Sequence, residues 1–205
     1  MKTISLLLPL AALVLFGAGC DHTALKPGYA TFIDVHEFGP GKVTAADVAK
    51  AHKADLATQG RHDVRFVDYW VDAEHGRVYC LSEAKNAASV IATHREAHGL
   101  LPAQIHAVSA THAALPTPSP EHPLFLDEHD FGPGQVKADA VAGAHEKDLA
   151  VQAQFGVRFV DYWVDEREGK VFCLAEAPNA EAVRATHRQA HGLLPTTIVP
   201  VTDGR

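Results

Sequence analysis

The run Val64-Arg65-Phe66-Val67-Asp68-Tyr69-Trp70-Val71-Asp72 occurs twice, returning unchanged at residues 157–165. Its β-branched and aromatic residues predict a strand. Working outward from it, the whole chain overlays itself on a shift of 93 residues. Phe32 falls on Phe125, His36 on His129 and Pro102 on Pro195. Self-similarity at a fixed period marks a repeated structural unit. Between the copies, residues 115–123 read L-P-T-P-S-P-E-H-P, and their prolines predict a stiff, extended linker. The expected organisation is module one over residues 30–110, a proline-rich linker over 111–123 and module two over 124–203.

Within copy one, residues 31–36 read as a strand and Phe38-Gly39-Pro40-Gly41 as a turn. A helix is expected over 44–61, with Thr44 and Asp47 at capping-box spacing. The strand 64–72 turns at 73–76 and returns as a hairpin strand over 77–84. Asn86 caps a second helix that reaches His98 and stops at Gly99 and Pro102. Residues 104–109 form a last strand, and copy two repeats this order. The pattern βαββαβ is the ferredoxin-like split βαβ, so the fold class is α+β. A module of about 80 residues buries only part of its chain surface. The two copies are therefore expected to pack as an intrachain pseudo-dimer resembling a dimeric α/β barrel, which suits a monomeric chain.

The net charge of -7 offers no basic footprint for nucleic acid. The compositional outlier is histidine, with 14 residues, and histidine is the commonest metal ligand. Residues 1–20 read as a signal peptide: Lys2 is followed by an apolar stretch too short for a comfortable membrane span. Gly17-Ala18-Gly19-Cys20 resembles a lipobox, with Gly17 where that pattern prefers Leu. Lipidation of Cys20 follows, with simple secretion after Gly19 as the other outcome. Asp21 resembles an inner-membrane retention signal. The expected location is the periplasm, with membrane contact only through the lipid anchor. Cys80 and Cys173 are equivalent, and one cysteine per module makes no disulfide framework. They read as small apolar strand residues.

Four histidines of each copy match: His36, His52, His94 and His98, with His129, His145, His187 and His191. His52 and His94 are each eight residues past a helix start, Thr44 and Asn86, roughly 12 Å along each axis. With the two helices read as running the same way, they fall at one height. Asp55 lies one turn beyond His52, and His98 one turn beyond His94. His52, Asp55, His94 and His98 are thus expected at the helix seam, as are His145, Asp148, His187 and His191. Imidazoles with a carboxylate suit nickel, zinc or copper. The competing reading makes them core histidines hydrogen-bonded to neighbours. His36 is expected at a second, more exposed site. There it meets Asp34 and Glu83, the end of a strand read as parallel to the first; His129, Asp127 and Glu176 repeat this. Asp68-Tyr69-Trp70 reads as packing.

The runs A-H-x-x-D-L-A, F-V-D-Y-W-V-D, V-[YF]-C-L-x-E-A and T-H-R-x-A-H-G-L-L-P occur in both copies. They resemble a bacterial family of small nickel-binding proteins, otherwise catalogued as a domain of unknown function. The resemblance implies single ferredoxin-like modules that pair as homodimers and hold nickel at the dimer surface. The present chain departs from that pattern in being duplicated and exported. The function expected is exported nickel binding for sequestration or buffering. Two other classes stand beside it: a dimeric α/β-barrel enzyme or ligand binder with a His/Asp pocket, and a structural module of the cell envelope. A large apolar pocket at His52 and His94 favours the former; a shallow, carboxylate-rimmed cluster favours metal storage.

Overall fold

The computed structural model describes residues 25–110, 119 and 122–204. The predicted signal peptide, Cys20 and most of the linker lie outside the described residues. Copy one runs β1 (Ala30–Glu37), α1 (Ala45–Thr58), β2 (Val64–Asp72), β3 (Arg77–Ala84), α2 (Ala87–Ala97) and β4 (Gln104–Ala110). Copy two runs β5 (Leu124–Asp130), α3 (Ala138–Val151), β6 (Arg158–Asp165), β7 (Lys170–Glu176), α4 (Ala180–Ala190) and β8 (Thr197–Asp203). A short 3-10 turn follows α1 and another follows α3. No helix among the described residues is long and apolar enough to cross a membrane.

In each copy the first strand lies at the sheet centre, so β4-β1-β3-β2 and β8-β5-β7-β6 are the two sheets. The parallel pairing expected between the first and third strands is corrected: β1 and β3 are antiparallel, with His36 opposite Val78 and Thr31 opposite Glu83. The tight β2–β3 turn reverses the chain, and Gly76 makes that turn fit. Its φ is +72°, and a Cβ there would lie 1.8 Å from the Gly39 carbonyl oxygen. That close approach lets Phe38 N–H donate to the Gly76 carbonyl at 2.8 Å, fixing the loop that enters α1. Gly169 repeats the device in copy two, against Gly132.

The sheets join at both edges. β2 pairs with β8 through Trp70 and Val71, and β4 pairs with β6 through Ser109 and Ala110. Among the described residues the result is one mixed α+β fold, a closed antiparallel barrel of eight strands carrying four α-helices. Closure removes the exposed edges that each sheet would present alone. Strand alternation divides the side chains between two cores. Ile33, Val35, Trp70 and Leu81 meet Leu126, Trp163 and Leu174 inside the barrel. The Trp70 and Trp163 rings lie 5.2 Å apart there. The outer faces carry Val71, Val78 and Cys80 against α1 in copy one, and Val164, Val171 and Cys173 in copy two.

The meeting of the copies is not symmetric. Tyr79 Oη donates to Glu128 Oε1 at 2.8 Å, and His106 Nδ1 lies 3.0 Å from Asp165 Oδ2. On the 93-residue shift, Phe172 stands in place of the tyrosine, Val35 of the glutamate and Val199 of the histidine.

Candidate metal centre

The same alternation that sends Ile33 and Val35 into the barrel turns Asp34 and His36 toward the helices. Cys80 is Asp34's cross-strand partner. α1 supplies Asp55, α2 supplies His94, and His98 is the C-cap of α2. Asp55 joins the two histidines: Oδ1 is 3.0 Å from His94 Nδ1, and Oδ2 is 3.1 Å from His98 Nε2. The two ring nitrogens are 3.3 Å apart. His94 Nε2 points the other way, 3.4 Å from Asp34, whose Oδ1 is also 3.0 Å from His36 Nε2. Leu100 N–H donates to His98 Nδ1 at 3.1 Å. The network therefore places the proton of a neutral His98 on Nε2, facing Asp55.

Copy two reproduces this arrangement. His187 Nδ1 and His191 Nε2 each lie 3.1 Å from Asp148 and 3.3 Å from one another. His187 Nε2 is 3.4 Å and His129 Nε2 3.2 Å from Asp127.

Burial disfavours a charged His94. Hydrogen bonds that His94 donates to Asp34 and Asp55, with the charge of both, outweigh it and push the pKa up to about 9. His187 behaves alike, at about 9. Burial pushes Asp34 and Asp55 up, but bonds from the facing histidines hold both below the usual carboxylate range. The buried triad Asp34–His94–Asp55 thus sets two carboxylates against one imidazolium. Burial lowers His52, which stays a neutral imidazole near pH 7.

The structure merges what the sequence suggested were two sites. His36 is 4 % exposed, and its ring centroid is 4.9 Å from that of His94. Glu83 does not join it, because the antiparallel register carries it to the far end of β3. There it takes a hydrogen bond from Arg65 Nε at 2.9 Å. Glu176 is likewise held by Arg158 Nε at 2.8 Å. His52 stands beside the Asp55 cluster rather than in it. Its ring is 4.5 Å from that of Tyr69, and its Nδ1 is buried without a hydrogen-bond partner. His145 sits equally close to Tyr162. Sequence reasoning missed Cys80 and Cys173, which offer sulfur beside Asp34, His36 and His94 and beside Asp127, His129 and His187. Counting the alternation across the β1–β3 pair could have found them. Burial, with Asp34 and Asp55 nearby, raises the Cys80 thiol well above its ordinary value.

A cavity of about 280 Å³ adjoins the cluster, walled by Phe38, Val43, Val48, Ala51, Val78 and Leu100. His52, Asp55, His94 and His98 line it too. Its counterpart in copy two, about 260 Å³, has Phe131, Val136, Val141, Ala144, Val171 and Leu193.

Residues 32–108 and 125–201 each match the sequence profile described as nickel responsive protein SCO4226-like. The chain belongs to the SCO4226-like family. Among solved structures, SCO4226 from Streptomyces coelicolor A3(2) is 37% identical over 37% of this chain and 90% of its own, with a TM-score of 0.35. A putative monooxygenase from Lactobacillus acidophilus NCFM is 9% identical, over 86% of this chain and 94% of its own, with a TM-score of 0.47. A heme-binding protein from Thermus thermophilus is 8% identical, over 85% of this chain and 90% of its own, with a TM-score of 0.42. No curated protein matches the chain.

Proposed function

We propose that each copy, a ferredoxin-like module, binds one divalent cation, nickel in the first place, between Asp55, His94 and His98 or between Asp148, His187 and His191. The supporting observation is the convergence of three side chains: the Asp55 carboxylate lies 3.0 Å from His94 Nδ1 through Oδ1 and 3.1 Å from His98 Nε2 through Oδ2, and the two ring nitrogens are 3.3 Å apart. A cation about 2.1 Å from each of three ligands sets them roughly 3.0–3.4 Å apart, between octahedral and tetrahedral angles. Asp34 then takes the outer nitrogen of His94, the usual carboxylate support of a metal-bound imidazole. Zinc and copper suit the same donor set. Loading requires the His94 Nδ1 proton to leave and the His98 proton to pass from Nε2 to Nδ1, which breaks the hydrogen bond that Nδ1 accepts from Leu100 N–H. The role we assign is sequestration or buffering outside the cytoplasm, to which residues 1–20 would direct the chain.

Equilibrium dialysis of untagged protein against nickel tests this. Two ions per chain are expected, falling to none when His98→Ala and His191→Ala are combined. Absence of stoichiometric binding at micromolar nickel, or binding unchanged in that variant, overturns the reading. A second reading, a ligand-binding or catalytic His/Asp pocket, is favoured by one observation: the apolar walls of the cavities.

A further inference from the structure

We propose that the cation is held together with a small organic co-ligand, an apolar body carrying one metal-binding donor atom, seated in the cavity beside each cluster. The inference rests on the metal reading above and deepens it. Asp55, His94 and His98 supply three donors, and a first-row divalent ion takes four to six. The remaining positions would open on a space lined by Phe38, Val43, Val48, Ala51, Val78 and Leu100, with Lys42 and Asp47 beside them.

Water filling those positions would need polar partners of its own; the six apolar side chains provide none, and Lys42 and Asp47 offer them over part of the lining. Size points the same way. Three coordinated waters occupy roughly 90 Å³, whereas the cavity holds about 280 Å³. Most of the surplus volume is lined by apolar side chains, and burying apolar surface there favours a hydrocarbon body. His52 lines the same space with its ring packed 4.5 Å from that of Tyr69, and its Nδ1 is buried. Copy two keeps the wall, position for position, at Phe131, Val136, Val141, Ala144, Val171 and Leu193.

The probe is a series of 1-alkylimidazoles, methyl to butyl, titrated by calorimetry into the nickel-loaded full chain. The visible nickel absorption is followed in parallel. We expect the nickel spectrum to change on addition and the affinity to rise about fourfold per added methylene. Ala51→Leu combined with Ala144→Leu fills both cavities. It should keep two nickel ions per chain and lose at least tenfold in butylimidazole affinity. Nickel bound normally with an affinity flat along the series overturns this inference and leaves the metal reading standing. Nickel not bound at all overturns both. The series on the unaltered chain decides the question even where the filled variant fails to fold.

Discussion

His94 donates from one ring nitrogen to Asp55 and turns the other toward Asp34, at 1 % exposure. Its folded pKa of about 9 stands above the unfolded value near 6.5. Such a group adds stability that is complete below pH 6.5 and is lost as pH rises through about 9. With His187 included, the effect is on the order of 3 kcal/mol for each histidine. The urea midpoint of the metal-free chain should therefore fall between pH 7 and pH 10, and His94→Gln with His187→Gln should flatten that fall. A midpoint indifferent to pH in the unaltered chain would sink the assignment. Asp34 acts on the other flank: its lowered pKa contributes stability that disappears in acid. The helical half of this network was legible in the sequence, because His94 and His98 are four apart on one helix. The strand half was not. Whether His36 meets His94 depends on how the helix lies across the sheet, which no local spacing encodes.

The first helix of each copy opens with a different device. Thr44 Oγ1 accepts from Asp47 N–H at 3.2 Å, and Thr44 N–H donates to Asp47 Oδ2 at 3.1 Å. In copy two Lys137 and Ala140 occupy these positions and cannot reproduce that exchange. Instead Glu166, from the β6–β7 turn, accepts from Ala138 N–H at 2.8 Å. Thr44→Ala and Glu166→Ala should each lower stability by about 1 kcal/mol, read as a shift in urea midpoint. No change in the second variant would show that α3 starts without help from that glutamate. The local capping box was visible in the sequence, whereas its tertiary substitute required knowing that the turn after β6 reaches α3. The same limit explains Glu83. Strand identity was readable from Val64 to Asp72, but the antiparallel pairing of β1 with β3, and the irregularity in β2 between Phe66 and Asp68, decide who neighbours whom.

Both copies contribute to one barrel core, with Trp70 against Trp163 at its centre. The two repeats should consequently unfold in a single calorimetric transition. Trp163→Ala should cost about 3–5 kcal/mol and lower that one transition rather than split it. Two separate transitions in the unaltered chain would contradict a shared core. That the copies would associate was legible in their closely similar, individually small modules. How they close was not, since the β2–β8 and β4–β6 seams join strands far apart in the sequence. Closure also brings together the mismatched pairs Tyr79–Glu128, from β3 to β5, and His106–Asp165, on the β4 and β6 strands of one seam. Two copies of the first half would set the Tyr79 hydroxyl against Val35, and two of the second would set Glu128 against Phe172. Each half therefore carries an address for the other. Fusion in one gene guarantees equal dosage, and mate choice is already written in the side chains, as in an obligate heterodimer whose subunits happen to share a peptide chain.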